Sequence, residues 1–274
     1  MEAVIHTITD PLGYGFMVRA LLVSALVGIV CPIVGSYVVM RGLAFMGDAL
    51  AHSIFPGVVI ALLLGVSHLA GALATGVVVA FLIGYVSRRT GVIEDTAIGI
   101  LFAGLFALGV ALLTASRTVN VNLEDLLLGQ VLGVSTMDVY LTLGLTVLVV
   151  GVVYAFHKEL VFSSFDPLGA TVSGLPTGAL TYLLLVLLAL VIVVALQAVG
   201  VILVMAMLVT PAATSYLLVK RFVPMMMVSA LLGVISTTVG LYLSFYLNVA
   251  SGSAMVIVAT ILFAAAAVLR RRIL

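Results

Sequence analysis

The sequence predicts an all-α fold, a polytopic transmembrane helix bundle of eight or nine spans, and three observations carry that prediction. Hydrophobic residues make up 65% of the 274, and the mean hydropathy is +1.44. Only 8% of residues are charged, 11 Lys plus Arg against 10 Asp plus Glu. Apolar runs of roughly the 20 residues that cross a hydrocarbon core of about 30 Å recur along the whole chain. Soluble domains average about 25% charged residues, so this chain cannot clothe a water-facing surface, and a soluble enzyme is excluded. One cysteine excludes a disulfide scaffold, and 26 Gly and 7 Pro without a period exclude a collagen-like chain. A net charge of +1, with no basic run interleaved with aromatics, excludes nucleic acid as a partner. The expected organisation is a single transmembrane domain over residues 1–274.

The predicted spans are 16–40, 50–66, 69–87, 96–115, 137–156, 178–196, 199–219, 223–247 and 254–269. They are continuous and rich in Leu, Val and Ala, which argues against the alternating ten-residue segments of a membrane barrel. The second is short, starts in a polar stretch and contains Pro56, so it reads as a broken or re-entrant helix; without it the count is eight. Pro211 should kink the seventh. Gly99, Gly104 and Gly109 in the fourth read as helix-packing residues. No basic segment ahead of a cleavage site is visible, so no removable signal peptide is expected.

Lys and Arg bias in short loops sets orientation. With nine spans and the C-terminus in the cytoplasm, the inside set is Arg41, Arg88, Arg89, Lys158, Lys220, Arg221, Arg270, Arg271 and Arg272, against Arg19 and Arg117 outside. Residues 116–136 then lie outside, where the half-apolar segment 126–134 is expected to rest at the outer mouth. Residues 157–177 form the longest cytoplasmic stretch. No G-x-x-x-x-G-K-[ST] phosphate loop occurs, so the chain is not expected to be an enzyme, and any ATP hydrolysis would need a partner.

An ionisable residue inside a span is costly and marks a functional candidate. Asp48 and His52 stand four residues apart in GLAFMGDALAHSIFPG, on one helix face about 5–6 Å apart at Cβ. Carboxylate and imidazole together suit Mn²⁺, Zn²⁺ or Fe²⁺, and Pro56 with Gly57 is expected to unwind the helix and release carbonyls, as in transporter substrate sites. Spacing alone equally allows an ion pair that neutralises two polar groups for burial, or a proton relay. His68 and Gln197 fall at outer span ends, while His6 and His157 read as solvated. Cys31 reads as a small buried residue, and Met205, Met207 and Met225 to Met227 as packing or lipid contacts, since consecutive methionines point in different directions.

Five segments, MGDALAHSIFPG at 46–57, EDTAIGILFAGLFALG at 94–109, FDPLGATVSGLP at 165–176, QAVGVILVMAMLVTPAA at 197–213 and LSFYLNVASG at 243–252, fall in order across nearly the whole chain. Together they resemble the metal-ion permease family of ABC importers, the membrane subunits of bacterial manganese, zinc and iron uptake systems. The resemblance implies a fold similar to the vitamin B12 and siderophore importers and a homodimer in the inner membrane. It also implies two copies of a cytoplasmic ABC ATPase and an extracytoplasmic metal-binding protein as partners. It implies no permanent cofactor, only a transported divalent metal. It maps a metal-contacting or gating pair onto Asp48 and His52, and a segment coupling to the ATPase onto Phe165, Asp166, Pro167, Gly174, Leu175 and Pro176. Where the family often has an acid followed by Pro near the last outer loop, this chain has Asn248 to Ala250. Two rival readings are a proton-coupled secondary transporter and a non-transporting membrane scaffold.

Overall fold

The structure, a computed structural model, describes residues 10–116 and 131–273. Among them there is no strand. Among the same residues twelve α-helices follow one another in chain order. They are α1 (Gly15–Met40), α2 (Met46–Ser53), α3 (Phe55–Leu63), α4 (His68–Thr90), α5 (Glu94–Ser116) and α6 (Thr136–Ala155). After these come α7 (His157–Phe165), α8 (Pro167–Val172), α9 (Thr177–Val199), α10 (Val201–Leu218), α11 (Phe222–Leu247) and α12 (Ser251–Ile273). Taking α2 and α3 together as one span, nine helical segments among the described residues are long and apolar enough to cross a membrane. The described residues thus favour nine candidate spans over eight. Of the expected outer-mouth segment 126–134, residues 126–130 lie outside the described residues, and Val131–Gly133 form a 3-10 turn.

Internal contacts divide the chain into two compact units. One comprises residues 1–36, 124–148 and 198–274, the other residues 37–123 and 149–197. In the first unit α10, α11 and α12 pack on one another. The amino-terminal part of α1 meets α11 backbone to backbone: a Cβ on Gly28 would lie 2.9 Å from the Gly233 carbonyl, and one on Gly233 would strike Gly28 and, at 2.8 Å, the Pro32 ring. Without a hydrophobic force to separate helix from lipid, such small-residue contact and interhelical hydrogen bonds supply the association. The bonds are present. Ser36 Oγ donates to the Pro32 carbonyl at 2.8 Å and lies 3.1 Å from Ser229 Oγ, which reaches the same carbonyl at 3.3 Å. Gly35 sits equally close to the Leu208 backbone of α10. Helix α10 continues through Pro211 as one element.

In the second unit the broken span is folded against α4 and α5. Two local causes produce the break at Ile54. Ser53 Oγ donates to the Ala49 carbonyl at 2.6 Å, a back-bond that bends helices. Pro56 lacks an N–H and its ring opposes the carbonyl four residues earlier, that of His52, so Pro56 is accommodated in the first turn of α3. The interruption thus falls just ahead of Pro56, in the span expected to be broken. Gly57 has a different role: it touches the Gly71 backbone and Thr75 of α4, a contact any side chain would block. Gly109 of α5 lies against Phe55 and the backbone of Pro56, whereas Gly99 and Gly104 face open space, so only the last of the three fourth-span glycines packs as expected.

Candidate functional site

Helix α2 has eight residues, of which Met46, Gly47, Ala49, Leu50, Ala51 and Ser53 are buried. Asp48 and His52 alone stay partly open, with side chains 23% and 22% exposed. The helix therefore buries its apolar residues and leaves the polar pair partly open. His52 Nδ1 lies 2.9 Å from Asp48 Oδ1 and 3.0 Å from the Asp48 carbonyl oxygen. Both neighbours are acceptors, so Nδ1 carries the proton and donates. In the neutral ring the lone pair is then on Nε2. Metal-binding imidazoles characteristically donate their other ring N–H to a carboxylate or a carbonyl, which fixes the tautomer and raises basicity. The carboxylate keeps its second oxygen, and the arrangement can present one nitrogen and one oxygen to a cation.

An aromatic wall surrounds this imidazole. Phe102 and Phe106 of α5 lie edge-to-face with His52, at 5.7 and 5.6 Å between centroids. They lie 6.1 Å from each other, and Phe45 and Phe55 flank them at 6.1 and 5.9 Å. The rings restrict the imidazole's rotation and lower the local dielectric, which strengthens charge interactions there. The sequence reading missed Phe102 and Phe106, although their i,i+4 spacing in LFAGLFALG puts them on one helix face. Among the described residues no group of three or more His, Cys, Asp or Glu is assembled.

The segment 157–177 forms two short helices and a sharp exit. Asp166 caps α8 by accepting from the Gly169 N–H at 2.8 Å, with Pro167 in the first turn, where its missing N–H costs nothing. At the far end Gly174 is left-handed, φ 82°. Its N–H donates to Thr171 O, and the Leu175 N–H to Ala170 O, both at 3.0 Å. This is a Schellman closure, followed at once by Pro176. Phe165, Leu168 and Val172 are left exposed at 55%, 81% and 89%.

Several residues assigned to one side of the membrane meet at one end of this unit. Arg41 donates from Nε to Ser164 Oγ at 3.1 Å, and its other nitrogens lie 3.4 Å from Thr181 Oγ1 and 3.5 Å from Ser163 Oγ. Arg88 stacks over the Tyr182 ring at 5.2 Å. Burial lowers the Arg41 pKa from its ordinary value, and the Glu94 carboxylate opposes the shift. His157 is not merely solvated, since its Nδ1 lies 3.1 Å from the buried Tyr37 hydroxyl. Gln197 Nε2 meets His68 Nε2 at 3.3 Å, which joins the two outer-end candidates to each other. Cys31 and Met225 are buried, as packing residues would be, while Met227 is 65% exposed. His6 lies outside the described residues.

The sequence pattern of the family described as the ABC 3 transport family matches residues 13–270. The chain belongs to that family. It is thus a multi-pass membrane permease of an ABC transporter. It is 48% identical over 255 residues to the manganese transport system membrane protein MntC of Halalkalibacterium halodurans, covering 93% of this chain and 87% of that protein. It is 38% identical over 266 residues to the chelated iron transport system membrane protein YfeD of Yersinia pestis, covering 97% and 89%. The solved structure of PsaBC from Streptococcus pneumoniae in complex with Fab superposes with a TM-score of 0.84 at 36% identity, over 96% of this chain and 95% of that one.

Proposed function

We propose that this permease is the membrane-spanning subunit of an ATP-driven importer of divalent transition-metal ions, with Mn²⁺ as the substrate and Fe²⁺ as its main competitor. It works as a homodimer in the bacterial cytoplasmic membrane, with the C-terminus in the cytoplasm. Two copies of an ABC ATPase dock on the coupling segment, and an extracytoplasmic binding protein delivers the metal. The permease holds no permanent cofactor; the metal is cargo. The relatives' names, manganese for the Halalkalibacterium protein and chelated iron for the Yersinia one, support the choice of ions.

The observation that carries the reading is the geometry of Asp48 and His52. The Nδ1–H is committed to Asp48, which leaves Nε2 and one carboxylate oxygen for a passing ion. One copy offers a nitrogen and an oxygen, and a second copy facing it doubles the set. Few, shared ligands suit transit, because a site that holds its ion too well cannot release it. The exposed Phe165, Leu168 and Val172 supply an apolar surface for the ATPase to cover.

The test is Mn²⁺ uptake into proteoliposomes holding the permease with its ATPase and loaded binding protein. Uptake should require ATP and the binding protein, and excess Fe²⁺ should suppress it. Uptake driven by a pH gradient without the ATPase would mark a secondary transporter. No uptake under either condition would leave only the scaffold reading.

A further inference from the structure

The last turn of α1 grips α7 at both ends. Tyr37 and Arg41 are four residues apart, and Arg41 continues the helical pattern, its N–H donating to Tyr37 O at 3.0 Å. Tyr37 is fully buried and its hydroxyl holds His157, the first residue of α7, at 3.1 Å. Arg41 holds Ser163 and Ser164, at the other end of α7, and Thr181 at the start of α9. A guanidinium is a planar fork with five fixed donors. Spread over hydroxyls from two helices in a partly buried setting, it has limited water to exchange them for, and leaving it unpaired there is costly.

Both ends of this contact lead to described sites. Beyond Ser164 the chain runs directly into Phe165, Asp166 and Pro167, the entry to α8. Beyond Arg41, a Schellman closure at Gly42 (φ 73°), with Leu43 N–H donating to Val38 O at 3.0 Å, turns the chain into α2 and Asp48. The Glu94 carboxylate, which acts on Arg41, opens α5 and so the helix bearing Phe102 and Phe106.

We propose that Tyr37 and Arg41 form a clamp that carries movement of the 157–172 segment to the segment bearing Asp48 and His52, with Arg41 as its positioning residue. The inference rests on the importer reading above. It assigns Arg41 no contact with the metal and no part in holding the ATPase. The clamp's loss should therefore appear as uncoupling, with ATP spent and little metal moved.

The experiment measures Mn²⁺ transported per ATP hydrolysed by the reconstituted transporter for the unmodified chain, Arg41→Met, Arg41→Lys, and the triple variant Ser163→Ala, Ser164→Ala, Thr181→Val. Arg41→Met should lower the ratio about tenfold, with hydrolysis within about twofold of the unmodified complex. Arg41→Lys, which keeps the charge but not the fork, should fall between the two, and so should the triple variant. An unchanged ratio in Arg41→Met, or uptake and hydrolysis falling in proportion, overturns the clamp. If Arg41→Met does not assemble, the triple variant decides by the same ratio. Absence of Mn²⁺ transport by the unmodified complex overturns the importer reading, whereas normal transport with an unaltered Arg41→Met ratio overturns the clamp alone.

Discussion

Two polar interruptions in the second unit invite comparison. In α2, Asp48 and His52 spend one proton on each other and leave a nitrogen and an oxygen outward. In the segment 165–176, Asp166 accepts the Gly169 N–H, and Gly174 and Leu175 close the helix on Thr171 and Ala170. Both stretches turn on one aspartate. One aspartate orients an imidazole, the other starts a helix. An acidic residue in an apolar chain thus identifies its role by where its oxygens point, not by its presence.

The sharpest way to break the comparison is to make the same substitution in both places. Asp48→Asn should lower Mn²⁺ uptake by about 100-fold while the complex still assembles, since partners of this kind are worth about 10–100-fold in metal affinity or activity. Asp166→Asn should transport normally, because Asn caps a helix as well as Asp does. Asp166→Ala, which removes the cap at a cost of about 1 kcal/mol, should weaken co-purification of the ATPase about fivefold. Loss of uptake in Asp166→Asn would mean that this carboxylate's charge, rather than its cap, is used.

A smaller effect sharpens the α2 side. Phe102→Leu or Phe106→Leu should raise the Mn²⁺ concentration for half-maximal uptake about two- to tenfold, since aromatic contacts of this kind are worth about 0.5–1.5 kcal/mol beyond their area. An unchanged transport curve for both would remove the aromatic wall from the site. The smallest effect lies at Asn248, which adopts φ 53° at the end of α11 and is followed by Val249, whose carbonyl accepts from Ser244 Oγ at 2.7 Å. A left-handed backbone favours Asn or Gly. Asn248→Gly should therefore leave thermal stability in detergent unchanged, while Asn248→Val should lower it by about 1 kcal/mol.

Much of this was legible before any coordinates. Continuous apolar runs gave the spans because only a helix satisfies the backbone of a single segment in lipid by its own hydrogen bonds, and Pro56 marked the second span as broken. The i,i+4 spacing put Asp48 and His52 on one face. What hydropathy does not distinguish is lipid from protein as the apolar surrounding. Gly99, Gly104 and Gly109 look alike in sequence, yet only Gly109 meets another helix. The Ser53 back-bond that helps to bend the chain there carries no hydropathic signature. Arg41 read as a loop charge because its partners are neutral hydroxyls more than 120 residues away, a pairing that no charge pattern announces. His157 was misread for the same reason.

The contact of α1 with α11 has a practical use. With Gly28 on Gly233 and two serines sharing the Pro32 carbonyl, neither helix has side-chain slack at the crossing, so sliding one along the other would mean backbone collision or broken bonds. Those two stretches travel as one piece through any cycle. Spectroscopic labels at the exposed Leu22 and Leu231 then form an internal ruler of constant length, against which distances that do change on adding ATP can be read.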